Sequence, residues 1–134
     1  MKVIFDTNVL LSAFLTDGIC ARILKRARQR HFSFVLCAPV LAETKRLLKN
    51  KFSLTAREIA FFVSIISESA DEEYHPVGAL SGVCRDPDDD LILLCAAETK
   101  TDYIVTGDND LLVLKTYQNT TIISPRDFEL LFNE

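Results

Sequence analysis

Val3-Ile-Phe-Asp-Thr-Asn-Val-Leu-Leu-Ser12 passes within ten residues from an apolar triplet, through an acid, into a helix-forming run. Val3–Phe5 reads as a short buried first strand, and Asn8–Leu15 as the helix that follows it. Asp6 stands directly after the strand, where the apolar residues before it draw its side chain toward the interior. Asn8 adds a second short polar group to the same turn.

Outward from this stretch, apolar strands and helices alternate, the pattern of an α/β domain with a largely parallel sheet. Asp17-Gly18 breaks the first helix from a second, Ile19–Arg28. Phe34–Cys37 reads as the next strand, and Pro39 suits the first turn of a helix over Val40–Asn50. Thr55-x-x-Glu58 has the form of a capping box opening a helix to Ser69. Ala70–Pro87, with Pro76, Gly78, Gly82 and Pro87, is expected to be a surface connection with one short extended piece around Tyr74–Val77. Its acids Asp71, Glu72 and Glu73 read as a solvated loop. A helix over Asp89–Lys100, a strand over Tyr103–Thr106, a short helix Asn109–Lys115 and a strand Thr121–Ser124 complete the alternation. Ser124-Pro125-x-Asp127 then caps a closing helix.

The 134 residues fit one domain, 1–134, with no room for a second core. A hydrophobic share of 49% with only 4 Gly and 4 Pro excludes a disordered tail. The longest nearly apolar run, Leu91–Ala97, falls far short of the roughly 20 residues a membrane span needs, and no signal peptide is recognisable. Cys20, Cys37, Cys84 and Cys95 form no CxxC pair, and His31 and His75 lie apart, so reduced thiols in a cytoplasmic protein are expected and zinc is not. The net charge of −4 hides an asymmetry: Arg22 to Lys51 carries +8 and the remainder −12. Such a distribution can give an acidic protein one basic face.

Four acids fall where a parallel sheet gathers ligands, at strand C-termini and helix N-termini. Asp6 follows the first strand, Glu43 lies early in the third helix, Asp90 begins another helix, and Asp108 stands two residues past Tyr103–Thr106. Singly each has an ordinary role; Asp90 beside Asp88 and Asp89 could be a helix cap. Together, converging carboxylates repel and take up protons unless a cation neutralises them. Oxygen ligands without His or Cys suit Mg²⁺ or Mn²⁺, ions that activate water for attack on phosphorus.

The chain resembles the PIN domain family, and within it the group of toxin components of toxin–antitoxin systems. The resemblance rests on Val3 to Ser12, on Pro39-Val-Leu-Ala-Glu43 with the helix to Lys51-Phe52, and on Arg85-Asp-Pro-Asp-Asp-Asp90. It continues through Tyr103-Ile-Val-Thr-Gly-Asp-Asn-Asp110 and Ile123-Ser-Pro-Arg-Asp-Phe128. It implies a three-layer α/β/α sandwich around a parallel sheet of four or five strands. It places the family's acidic quartet, catalytic and metal-holding, on Asp6, Glu43, Asp90 and Asp108, with Asn8, Thr106 and Asp110 as accessory positions. Within Asp88-Asp89-Asp90 a slip of one residue stays open, and the apolar helix from Leu91 favours Asp90. Where the family often has a serine after the second strand, Cys37-Ala38 stands here. The resemblance further implies cleavage of single-stranded RNA by metal-activated water, a cognate antitoxin covering the acidic site, and a homodimer.

Two other acidic α/β classes fit poorly. A phospho-acceptor receiver would want an adjacent acidic pair near the N-terminus, and a dehalogenase-like phosphatase an acid where Asn8 stands. A housekeeping RNA-processing nuclease and a non-catalytic RNA- or protein-binding module of the same fold remain as alternatives. For RNA, Lys45 and Lys49 share one helical face, Arg46 leans toward Glu43, and Arg22, Arg26 and Arg30 recur every four residues. These basic residues are the expected RNA track, against the plainer reading of solubilising or antitoxin-facing charges.

Overall fold

A computed structural model of the protein describes residues 1–132. Its centre is a sheet of six strands in the order β3-β2-β1-β4-β6-β5. β1 (Lys2–Phe5), β2 (Ser33–Cys37), β3 (Glu72–Tyr74), β4 (Tyr103–Val105) and β6 (Thr120–Ile123) run parallel. The two-residue β5 (Thr116–Tyr117) pairs antiparallel with β6 at the edge. β1 is central, Val3 lying opposite Phe34 on one side and Tyr103 on the other.

Helices cover both faces: α1 (Thr7–Leu15), α2 (Ile19–Arg28), α3 (Ala38–Asn50), α4 (Ala56–Ser69), α5 (Pro87–Thr99), α6 (Asn109–Leu112) and α7 (Pro125–Leu130). The expected α/β architecture around a mostly parallel sheet is therefore observed. Five parallel strands match the expected number; β5 is additional, formed by Thr116–Tyr117, which follow the expected helix Asn109–Lys115 and lie in no expected element. α6 stops at Leu112, and Lys115, in a left-handed backbone (φ 62°), leads the chain into β5.

One strand lies where a solvated loop was expected. Glu72–Tyr74 pairs with Val35–Cys37, and Asp71 accepts the Phe34 N–H at 2.7 Å. Backbone pairing overrides the polarity of the side chains here, because at an edge strand the acids can project into water. The helix signals are realised more closely. Thr55 and Glu58 form both bonds of the capping box, and Ser124 caps α7.

The core is aliphatic with a file of phenylalanines across its middle. Phe5 stacks on Phe34 at 4.6 Å and meets Phe32 edge-on at 5.9 Å, and Phe32 continues to Phe128 at 5.3 Å. All four rings are buried. All four cysteines are free, Cys84 half-buried and the other three buried. Among the described residues, no single helix is long and apolar enough to cross a membrane.

Candidate metal centre at the carboxyl edge of the sheet

β1 and β4 end side by side, so Asp6 and the Thr106–Asp108 turn emerge at one edge. The Asp6 N–H still pairs with the Val105 carbonyl at 3.0 Å. Beyond that bond the chain turns into α1, and Asp6 becomes its N-cap: Oδ1 accepts the Thr7 N–H at 2.8 Å. The other oxygen, Oδ2, accepts from the Thr106 hydroxyl at 2.6 Å and from the Asn8 amide at 2.9 Å. Thr106 in turn accepts the Asp108 N–H at 3.0 Å, and Asn8 accepts that of Gly107 at 3.0 Å. Two small side chains thus tie the ends of β1 and β4 into a single rigid corner.

Asp108 repeats the arrangement of Asp6, capping α6 through the Asp110 N–H at 2.9 Å. The third carboxylate comes from α5. Asp86 is its N-cap and Pro87 its first residue, which puts Asp89 on the first turn. Asp6, Asp89 and Asp108 each bring one oxygen within 4.8 Å of the others. Asp90, the residue favoured by sequence, is buried and turned elsewhere. Its Oδ1 accepts the Cys84 N–H at 2.8 Å and holds down the turn before α5. Adjacent residues on a helix project about 100° apart, so only one of the two can face the cluster. The helix itself begins two residues before the Asp89 expected from the sequence, at Pro87, behind the Asp86 N-cap.

The electrostatics follow from this crowding. Burial pushes the Asp89 carboxyl up to about 7, aided by Asp108 and Asp6. Asp6 is also raised, chiefly by burial, against the lowering effect of its bonds to Thr106 and Thr7. Asp89 Oδ2 is buried and has no hydrogen-bond partner among the described residues. An orphaned carboxylate oxygen amid two other acids is costly unless something positive fills the gap. An all-oxygen donor set fits a hard divalent cation.

Glu43 reaches the same edge from α3 and lies outside the tight group of three. Its carboxyl is raised by burial and by Asp88 and Asp6, and drawn back by Arg46. With Asp88 and Arg46 it lines a cavity of about 310 Å³. A second cavity, bounded by Asn8, Ser12 and Asp108, opens beside the acids.

The chain matches the model of the PIN domain over residues 2–110. It belongs to the PIN domain family. A similar fold is seen in the crystal structure of VapBC2 from Rickettsia felis bound to a DNA fragment from their promoter. That chain is 15% identical, with 92% of this chain and 98% of that one covered at a TM-score of 0.67. At such identity the likeness shows the fold alone. No curated protein matches the chain.

The basic residues of this PIN domain divide into two sets. Arg22 and Arg26 face Glu129 on α7, and Arg26 also lies over the Phe132 ring at 4.6 Å. Arg30 donates to the carbonyls of Ser69 and Glu68 and lies 3.7 Å from Asp71. These arginines fasten α2 to α7 and to the end of α4. Lys45, Arg46 and Lys49 instead rim an apolar groove of about 730 Å³ between α3 and α4, floored by Leu54, Ile59 and Val63. None of the three makes an ion pair among the described residues.

Proposed function

We propose that this PIN domain is a Mg²⁺- or Mn²⁺-dependent endoribonuclease acting on single-stranded RNA, the toxin of a toxin–antitoxin pair. One observation carries the reading: three carboxylates from three separate chain segments converge on a point where a buried oxygen of Asp89 has no partner. Asp6, Asp89 and Asp108 hold the cation, with Asp89 in the place first assigned to Asp90. When bound, that cation supplies Lewis-acid chemistry, making water more acidic and offsetting charge on the phosphate. Asn8 and Thr106 keep Asp6 in position, and their bonds favour its charged form. Glu43, whose affinity for protons is raised, takes a proton from the water whose oxygen bonds to phosphorus, while the P–O bond to the leaving oxygen breaks and that oxygen takes a proton from solvent.

Lys45, Arg46 and Lys49 remain the candidates for RNA, and Arg46 stands nearest the acids. Arg22 and Arg26 are spent on α7, so we remove them from the RNA track. The groove beside Lys45 and Lys49 also suits an acidic amphipathic segment of an antitoxin, since its floor is apolar and its rim cationic. The fold shared with VapBC2 supports such a partner.

The test is cleavage of a single-stranded oligoribonucleotide by the purified protein. Cleavage is expected with Mg²⁺ or Mn²⁺ and not with EDTA, and induced expression should arrest bacterial growth. Glu43→Gln should relieve the arrest. Metal-dependent cleavage without growth arrest would assign the chain to RNA processing, and no cleavage with any divalent ion would remove the nuclease reading.

A further inference from the structure

An acidic edge repels the phosphates it is meant to cut. Asp6, Asp89, Asp108 and Glu43 are joined there by Asp86 and Asp88, both close enough to perturb their neighbours. A bound divalent cation offsets part of that repulsion, and a positive side chain at the rim adds to the attraction. Arg85 occupies such a place.

Its backbone is held on both sides. The preceding Cys84 N–H is bound by Asp90, and the following Asp86 caps α5 through the Asp88 N–H at 2.9 Å. Its side chain is 87% exposed and touches the cluster's surroundings once, from Nη2 to Asp110 Oδ1 at 2.8 Å. Asp110 lies on α6, whose N-cap is the cluster residue Asp108. Arg85 therefore links the turn before α5 to the first turn of α6, the two helices whose N-terminal ends supply Asp89 and Asp108. A guanidinium has five N–H donors in a planar fork, and among the described residues this one bonds through a single nitrogen. The pair with Asp110 is exposed on both sides, a kind that contributes little to stability. It holds the fork near the cluster and yields readily to a ligand offering two oxygens.

We propose that Arg85 is a substrate-binding residue of this site, closing a bidentate contact on a phosphate of the RNA backbone next to the bond that is cut. The proposal rests on the nuclease reading for its substrate. Its geometry is independent of which carboxylates hold the cation. Bidentate guanidinium–phosphate contacts are among the stronger charge-assisted bonds, and a lysine can replace the charge but not the fork.

Two measurements on a short single-stranded oligoribonucleotide test it: steady-state cleavage in Mg²⁺, and binding by fluorescence anisotropy in Ca²⁺ over a range of salt. Arg85→Ala should raise KM and Kd by about tenfold with kcat within about threefold, and should reduce the salt slope by about 0.7. Arg85→Lys should recover the salt slope and only part of the affinity. A residue that merely neutralises Asp110 would give another result: Asp110→Asn would then rescue Arg85→Ala, whereas a phosphate contact stays lost in the double variant. Unchanged KM, Kd and salt slope in Arg85→Ala, with wild type cleaving normally, overturns the Arg85 contact and leaves the nuclease reading intact. Arg85-dependent binding without cleavage by wild type overturns the nuclease reading and leaves the contact. No binding by wild type overturns both.

Discussion

Asp89→Asn is expected to lower metal-dependent RNA cleavage by on the order of a thousandfold, while Asp90→Asn leaves it within a few-fold. A cation held among carboxylates offsets several kcal/mol of charge in the transition state, and each 1.36 kcal/mol is a factor of ten in rate. Asp90 serves the turn before α5 through the Cys84 N–H, and an asparagine oxygen can still accept that bond. The same Asp89 variant has a second signature in EDTA. The Asp89 carboxyl is raised from an ordinary 3.8 to about 7 in the folded protein. The folded state therefore binds a proton that the unfolded chain has already lost, and metal-free stability falls as pH rises from about 4 to about 7. Asp89→Asn should flatten that fall and melt a few degrees above wild type at pH 8. Thermal melts at pH 5 and pH 8 read this directly; a parallel fall in both proteins would mean that Asp89 is not the titrating group.

The largest effect on stability is expected at Phe5. Its ring is buried and lies between Phe34 and Phe32, on the strand that ends in Asp6. Truncation to alanine leaves a cavity beneath the site and should cost about 3–5 kcal/mol. That is a large share of the 5–15 kcal/mol typical of whole domains. Urea titration should show the midpoint falling steeply at an unchanged slope. Phe61, on α4, is 62% exposed, and its alanine variant should stay within about 0.5 kcal/mol of wild type. Equal losses at both positions would deny the phenylalanine file its role in the core.

The sequence made the architecture readable because its signals are local. Apolar triplets mark β1 and β4, Asp17-Gly18 separates α1 from α2, and Thr55 with Glu58 opens α4. β3 and β5 escaped because each is made by its neighbour: Glu72-Glu73-Tyr74 has no strand pattern, and only the open edge of β2 draws it in. At the site, Asp6 was legible because it directly follows a strand, and Asp108 because it lies in the turn just past one. Asn8 was legible in the same turn as Asp6 and Thr106 through the family resemblance, and the structure gives both a bond to Asp6. Which of Asp88, Asp89 and Asp90 lies within reach of Asp6 and Asp108 was not legible, because three consecutive aspartates look alike until α5 is packed on the sheet. Arg85 carried no sequence signal beyond its place before Asp86, since its meaning comes from Asp110, 25 residues away.

Titration of Mn²⁺ into the metal-free protein at pH 7.5, with free Mn²⁺ followed by electron paramagnetic resonance, tests the central claim most directly. Wild type and Asp90→Asn should bind the ion alike, and Asp6→Asn and Asp89→Asn should each bind it at least about tenfold more weakly. Mn²⁺ binding that is indifferent to Asp6→Asn and Asp89→Asn, or lost in Asp90→Asn alone, would contradict the account.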